Sequence, residues 1–234
     1  MVRDTPVIGL AHGSRHPGGG VAIERLMASV GAQGGVVARV AYLDLAQPDL
    51  ESVARELAGD GHAAAVVVPL LFTSAFHATV DAPDAVRRAA AASGLKLSIA
   101  DILGTGDDIA ELLSGQLTEA GVPADCSVLL FAVGSSNSVA NESVVDLAAR
   151  LSAGRPGEVR AAFGTTDPRP ASVLDGLPEP IAVLPLFLAD GLLLDPLRAL
   201  SGERGWAMIE PLGDRAAGIV LRRYDGARTS AELR

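Results

Sequence analysis

The octapeptide VIGLAHGS at residues 7–14 decides the fold of this chain, because a second version of it, VLLFAVGS, occurs at residues 128–135. The similarity continues beyond these two segments. Residues 38–48 (ARVAYLDLAQP) align with residues 159–169 (VRAAFGTTDPR) at the same offset of 121 residues. Self-similarity at a fixed separation is the sequence signature of an internal repeat. The chain is therefore predicted to fold as two similar halves.

A third pair of segments extends the repeat and reveals where the copies differ. VVVPLLF aligns with AVLPLFL, which pairs Pro69 with Pro185 at an offset of 116 residues. The smaller offset indicates a shorter connection in the second half. Three residues that can bind a metal or move a proton have counterparts that can do neither: His12 pairs with Val133, Asp44 with Thr165 and His77 with Leu193. The framework is duplicated, whereas its reactive side chains are confined to the first copy.

Length and composition are those of a globular protein with one large domain or two smaller ones. A chain of 234 residues with 49% hydrophobic residues can bury the cores of two domains of about 100–150 residues each. The stretch GVPADCS at residues 121–127 is the predicted boundary. Residues 1–122 are expected to form an N-terminal half that carries the active site. Residues 123–234 are expected to form a degenerate repeat half that supplies the other wall of a cleft.

Short β-branched segments alternate with segments rich in Ala, Leu, Glu and Arg, a pattern typical of βαβ units. The predicted fold class is α/β: two similar halves, each an open parallel sheet flanked by helices, with the active-site cleft between them. In the first half we predict strands at residues 7–11, 36–43, 66–72 and 95–103, and helices at 21–30, 50–58, 83–93 and 107–119.

Local signals refine these elements. Asp49 is predicted to be the N-cap of the second helix. Pro69 is unusual within a central strand and predicts a bulge or the end of the strand. The segment RHPGGG after the first strand is predicted to be a glycine-rich loop, and the polar residues from Arg222 onward are predicted to be frayed.

The residues at the ends of the first-half strands point to the functional site. In open parallel sheets, ligands bind beyond the carboxyl ends of the strands. His12, Asp44 and His77 all follow predicted strands, so they are expected to lie on one cleft floor. Each histidine alone is equally typical of an ordinary loop residue, and Asp44 alone is more typical of a residue that caps a turn before Pro48. Imidazole and carboxylate groups together suit divalent transition metals, and histidine can accept a proton at neutral pH.

Composition argues against several other classes of protein. A formal net charge of −9 without a run of basic residues disfavours a nucleic-acid partner. No apolar segment is long and uninterrupted enough to predict a membrane span, and the N-terminus lacks the pattern of a secretory signal, so a cytoplasmic location is expected. The single cysteine, Cys126, cannot form an internal disulfide, and without a CxxC motif no iron–sulfur cluster is expected.

Three segments together carry a resemblance to a known family: AHGSR at 11–15, AYLDLAQPDL at 41–50 and VVVPLLFTSAFHATVDAP at 66–83. They resemble the class II chelatases of the cobalamin and siroheme pathways, the sirohydrochlorin chelatases of the CbiX and SirB type. The resemblance implies an enzyme that inserts a divalent metal into a tetrapyrrole with release of two protons. Fe²⁺ would give sirohaem, and Co²⁺ would serve cobalamin synthesis. It implies that the metal is a substrate and that no organic cofactor is needed.

By this resemblance His12 and His77 match the two active-site histidines of the family, and Asp44 stands where family members often have a glutamate. We expect His12 and His77 to bind the metal and relay protons, with Asp44 either coordinating the ion or fixing an imidazole. The expected contacts to the tetrapyrrole are Ser14, Arg15, Gly18 and Phe76. A monomer is expected, because one chain contains both halves that short family members assemble as dimers.

Three other functions share some of these sequence features. A serine hydrolase with Ser136 as nucleophile is disfavoured, because Ser138 replaces the last glycine of GxSxG. In addition, an α/β-hydrolase needs a histidine that follows the serine in the chain, whereas every histidine here precedes residue 78. A dinucleotide site at GTGDDI (104–109) lacks the third glycine of its fingerprint. A non-catalytic carrier of a tetrapyrrole or metal remains open, since ligands for storage and for delivery are the same residue types.

Overall fold

The computed structural model describes residues 3–14, 16–74 and 81–232. Within these ranges eight strands alternate with eight α-helices. The first half contains β1 Arg3–Ala11, α1 Pro17–Gly34, β2 Val36–Tyr42, α2 Leu50–Gly59, β3 Ala64–Pro69, α3 Ala82–Ser93, β4 Lys96–Ile99 and α4 Asp107–Glu119. The second half contains β5 Ser127–Ala132, α5 Ser138–Ala153, β6 Val159–Phe163, α6 Pro170–Leu174, β7 Ile181–Pro185, α7 Asp195–Arg204, β8 Ala207–Met208 and α8 Ala217–Glu232.

The strands form two parallel sheets of four strands each, in the orders β2-β1-β3-β4 and β6-β5-β7-β8. The predicted α/β fold class, with two parallel sheets flanked by helices, is confirmed. In both sheets the chain passes from the first strand to one side and then crosses back to the other. The carboxyl ends of β1 and β3 therefore flank a topological switch point, which is where open α/β sheets form ligand crevices.

The internal repeat is reproduced in the hydrogen bonds that extend each sheet past its strand ends. In the first half Leu43 N–H donates to Ala11 O (2.8 Å) and Asp44 N–H to His12 O (3.0 Å). The second half has the same two bonds, at 2.9 Å each, from Gly164 to Ala132 and from Thr165 to Val133. These bonds confirm the predicted pairing of His12 with Val133 and of Asp44 with Thr165.

Helix α1 begins earlier than predicted and takes in the glycines assigned to a loop. Pro17 occupies the first turn, where its missing N–H has no intrahelical partner to lose. The imidazole Nδ1 of His16 accepts a hydrogen bond from the Gly18 N–H at 3.2 Å and so caps the helix. The predicted glycine-rich loop is therefore wrong, because a proline at the start and a side-chain cap outweigh the low helix propensity of three glycines.

The core follows from the continuous apolar character of the central strands. Val66, Val67 and Val68 of β3 are at most 1% exposed, as expected for a strand covered on both faces. Pro69 is the last residue of β3, which confirms that it ends the strand. Among the described residues, no helix is long and apolar enough to cross a membrane.

Two compact units divide the chain differently from the predicted boundary after residue 122. One unit combines Met1–Gly104 with Gly213–Arg234, and the other comprises Thr105–Leu212. Helix α4 therefore belongs with the second sheet, where it packs against α5, although it follows the strands of the first. Helix α8 belongs with the first sheet, where it packs against α1, β3 and β4. The repeat sets the boundary in sequence, whereas these long-range helix contacts set it in space.

Helix α8 is ordered by packing, and the prediction that the chain frays from Arg222 is wrong. Tyr224 is fully buried, and its hydroxyl donates to the carbonyl oxygen of Thr5 at 2.6 Å. Arg223 donates to the carbonyl oxygens of Ile102 and Leu103 at 2.9 and 2.6 Å. These partners lie far away in the sequence, so the polar composition of the segment did not reveal them.

Replacing Tyr224 tests whether α8 supports the first unit. Tyr224→Ala should lower the free energy of unfolding by about 3–5 kcal/mol, as for other large buried aromatic truncations. Tyr224→Phe keeps the ring and removes the hydroxyl that donates to Thr5, so it should cost about 1 kcal/mol. Urea denaturation followed by circular dichroism measures both. A Tyr224→Ala protein as stable as the wild type would contradict the packing of α8.

Replacing Asp49 tests the cap of α2. Its carboxylate accepts a hydrogen bond from Ser52 N–H at 2.8 Å, and bonding to Ser52 is the main cause that lowers its pKa. Asp49→Ala should cost about 1 kcal/mol of stability near neutral pH. Because the folded-state pKa is lowered, the wild-type advantage should hold above the unfolded pKa of about 4 and vanish as the pH falls further.

Asp49→Asn is the matched control, since asparagine caps helices about as well as aspartate without titrating. Its stability relative to Asp49→Ala should stay constant through the acid range. Denaturation curves between pH 3 and 7 make the comparison. An Asp49→Ala deficit that persists unchanged at pH 3 would rule out the proposed pH dependence.

Candidate metal-binding site at the carboxyl edge of the first sheet

His12 is the first residue after β1 and therefore lies at the switch point of the first sheet. Its position is set by the main chain, because its carbonyl oxygen accepts the Asp44 N–H. The residue is partly buried, and its Nδ1 atom is withdrawn from solvent. A partly buried histidine in a crevice position is suited to metal binding or proton transfer.

Gly13 lets the loops after β1 and β2 meet at backbone distance. Its φ of 99° lies in the left-handed region that favours glycine. A Cβ atom at this position would lie 2.0 Å from the carbonyl oxygen of Asp44 and 3.3 Å from the nitrogen of Ala46. No side chain fits in that space. The glycine in the AHGS segment is thus the physical reason that His12 and Asp44 occupy neighbouring loops in contact.

Asp44 is exposed, and its own loop orients its carboxylate. The oxygen Oδ1 accepts a hydrogen bond from Leu45 N–H at 2.8 Å. The carbonyl oxygen of Asp44 accepts another from Ala46 N–H at 2.8 Å. A carboxylate held by one oxygen still offers lone pairs to a metal ion or an imidazole. The structure therefore brings together two of the three residues predicted at the cleft floor, through their backbones.

Three predicted site residues, Arg15, Phe76 and His77, lie outside the described residues. The chain after β3 is described as far as Ser74. The N–H of Leu70, the first residue after β3, donates to Leu10 O at 2.8 Å. The chain that leads to His77 thus starts beside the end of β1. Within the described ranges no group of three His, Cys, Asp or Glu residues is placed to hold a metal ion.

The predicted tetrapyrrole contacts Ser14 and Gly18 form a hydrogen-bonded turn with His16. The Oγ atom of Ser14 accepts from His16 N–H at 3.0 Å. The Gly18 N–H donates to the His16 imidazole and the Gly19 N–H to the His16 carbonyl oxygen at 3.0 Å, so both glycines belong to the first turn of α1. His16 has a role as helix cap that the sequence pattern did not indicate, and the following proline was the available signal.

Tyr42 packs at the end of β2, next to the loop that carries Asp44. It ends β2 two residues before Asp44 and is buried, and a Cβ atom at Gly20 would lie 3.5 Å from its hydroxyl oxygen. Burial, and then the carboxylate of Glu24, raise the pKa of Tyr42. The phenol therefore stays protonated at neutral pH and contributes packing between β2 and the start of α1.

The equivalent edge of the second sheet carries no residue suited to this chemistry at the paired positions. Val133, which stands in place of His12, is 45% exposed. The Thr165 hydroxyl, in place of the Asp44 carboxylate, donates to Val133 O at 2.9 Å. The sheet ends are alike in backbone geometry and differ in what their side chains can bind.

Arg198 is a cation of the second unit that is already paired. It bonds to Glu210 at 2.9 Å and to Asp190. Hydrogen bonding to Glu210 is the main cause that raises the pKa of Arg198, although burial opposes it. With two carboxylates around one guanidinium, the cluster is net negative and does not attract an anionic ligand.

Gly13→Ala tests the contact between the two loops. The methyl group would collide with the backbone of Asp44, so the loops must separate and the residues predicted to bind the metal must move apart. We expect at least a tenfold loss of affinity for Co²⁺, since displaced ligands bind less well. Isothermal titration calorimetry measures the affinity.

Gly121→Ala is the control for backbone strain alone. Gly121 also has a positive φ, of 69°, but no atom lies within 4 Å of a Cβ there. This variant should lose some stability and bind Co²⁺ like the wild type. Equal affinities in the two variants would show that the contact at Gly13 does not shape the site.

Known proteins share both the sequence pattern and the fold. A sirohydrochlorin cobaltochelatase from Sulfurisphaera tokodaii is 32% identical over 78 residues, which are 33% of this chain and 62% of that protein. The chain thus spans less than two thirds of the length of this curated relative.

Two solved structures superpose on the whole chain. SirB from Bacillus subtilis with Fe³⁺ has a TM-score of 0.80 at 22% identity, covering 100% of this chain and 98% of that one. The sirohydrochlorin chelatase SirB from Bacillus subtilis subspecies spizizenii in complex with cobalt has a TM-score of 0.78 at 21% identity, with the same coverage. Residues 6–120 and 127–200 match the sequence model of the CbiX family, which is well over half of the chain. The chain therefore belongs to the CbiX family.

Proposed function

We propose that the protein is a sirohydrochlorin chelatase, which inserts a divalent metal into the tetrapyrrole and releases two protons. The observation that carries the proposal is the backbone contact that holds the His12 and Asp44 loops together at the switch point. Membership of the CbiX family and the name of the Sulfurisphaera relative support the choice of substrate.

The chemistry requires a group that holds the metal on one face of the ring while two pyrrole N–H protons leave. We assign metal binding to the imidazole groups of His12 and His77. Few protein ligands leave coordination positions open for the incoming pyrrole nitrogens. The carboxylate of Asp44 neutralises part of the charge of the ion, either directly or through an imidazole.

Proton release can use the same histidines after the metal has left them. Neutral imidazole has an ordinary pKa of about 6.5, so it accepts a proton near neutral pH. A single ring nitrogen cannot bind the metal and take a proton simultaneously. The exchange is therefore stepwise: each time a pyrrole nitrogen replaces one histidine on the ion, the vacated imidazole nitrogen accepts the proton that this pyrrole releases, so the two histidines take the two protons. All of the assigned ligands belong to residues 1–122.

Both Fe²⁺ and Co²⁺ suit the assigned ligands. Imidazole and carboxylate rank divalent ions by the general affinity order and do not select between these two by geometry. The solved relatives hold Fe³⁺ in one case and cobalt in another. We propose that either ion is inserted and that the supply of metal in the cell determines the product.

A turnover experiment tests the proposed function. Purified protein is mixed with excess sirohydrochlorin and Co²⁺, or with Fe²⁺ without oxygen, and the visible spectrum is followed. We expect many metallated products per chain. His12→Ala should lower kcat/KM by about 10²–10⁴-fold, the range for loss of a general acid or base.

His62→Ala is the matched control, since His62 lies in the turn between α2 and β3, at the amino end of β3 and not at the carboxyl ends of the strands. It should retain wild-type rates. One product per chain at most would identify a carrier instead of an enzyme, and wild-type rates in His12→Ala would overturn the assignment of the site.

A further inference from the structure

Leu45 has a backbone conformation that leucine rarely adopts. Its φ is 60°, and it is the only non-glycine residue with a positive φ among the described residues. The left-handed region is unfavourable for a residue with a Cβ atom and persists only where the surroundings impose it. The side chain is also 42% exposed, so burial does little to offset the strain.

The second half shows that the framework itself does not require this strain. In both halves the residue before the loop donates to the proline that follows it: Tyr42 N–H to Pro48 O and Phe163 N–H to Pro168 O, each at 2.9 Å. Three residues separate Asp44 from Pro48, whereas two separate Thr165 from Pro168. The shorter loop makes the same turn without a non-glycine residue at positive φ. The strained leucine accompanies the additional residue, in the copy that carries the site.

The strain has a local effect on Asp44. The left-handed turn directs the Leu45 N–H to the Oδ1 atom of Asp44 at 2.8 Å. The same turn leaves the branched apolar side chain of Leu45 partly exposed beside an exposed carboxylate, three positions beyond the end of β2. Glycine or asparagine would adopt this conformation at lower cost and would also supply the N–H. The use of leucine therefore points to a role for its side chain.

We propose that Leu45 contacts the substrate: the strained loop holds its side chain against the apolar ring system of the tetrapyrrole while Asp44 and His12 act on the metal. This inference rests on the proposed function and adds a residue that sets macrocycle affinity. Strain stored at a functional site is repaid when the ligand is bound, since apolar contact area with a flat ring is gained. In the free protein the same strain lowers stability.

Two substitutions separate the side chain from the backbone. Leu45→Asn tolerates the left-handed conformation and keeps the N–H but removes the apolar contact. Leu45→Met keeps an apolar side chain of similar volume. For Leu45→Asn we expect a Tm about 2–4 °C above that of the wild type, from the relieved strain. We also expect the KM for sirohydrochlorin to rise about tenfold, with kcat and the KM for Co²⁺ within about twofold. Leu45→Met should keep the wild-type KM values.

Val145→Asn is the matched control, because Val145 on α5 is 48% exposed and has an ordinary backbone conformation. This variant should raise neither the Tm nor the KM for sirohydrochlorin. A Leu45→Asn protein with the wild-type KM for sirohydrochlorin would overturn the inference, as would a fall in Tm that accompanies the loss of affinity.

Binding of metal-free sirohydrochlorin, followed by its absorbance, keeps this test separate from that of the proposed function. If the wild type binds the macrocycle and fails to metallate it, the chelatase proposal is wrong while the role of Leu45 is still measured by Kd. If the wild type turns over and Leu45→Asn binds the macrocycle equally well, only the role of Leu45 is wrong.

Discussion

The backbone contact between the loops after β1 and β2 is the constraint on which the rest of the site depends. Parallel pairing continues two residues past the strands, through the bond from Asp44 N–H to His12 O, and Gly13 allows the loops to touch. A histidine and a carboxylate are thus placed by main-chain atoms of a rigid sheet. If these side chains bind a metal, as proposed, the fixed main chain lowers the conformational entropy that is lost on binding.

The same constraint explains how a duplicated framework could lose its chemistry. Main-chain hydrogen bonds do not depend on side-chain identity, so Val133 and Thr165 preserve the geometry of His12 and Asp44 without their reactive groups. The second loop is also shorter by one residue and free of the strain seen at Leu45. Framework and chemistry therefore varied independently, as expected when function resides in residues added to a fold.

Predictions from sequence succeeded where the signal was local. Asp49 caps α2 and Pro69 ends β3, because capping and ring geometry act within a few residues. They failed where a distant or unusual partner decided the outcome. His16 caps α1 with its imidazole, which a glycine-rich composition concealed. Tyr224 orders α8 through Thr5, 219 residues away, and no local pattern reports such a contact.

By itself the sequence determined the order of strands and helices in the first half, the internal repeat and the residues that follow the first-half strands, because periodicity, glycine and proline report burial and turns locally. Only the tertiary structure decided that β1 lies between β2 and β3 and that Leu45 is strained. It also decided that α4, from the first half of the sequence, packs with the second sheet, and that α8, from the second half, packs with the first sheet. These features arise from contacts between residues far apart along the chain, whose energies appear only once the whole chain has folded.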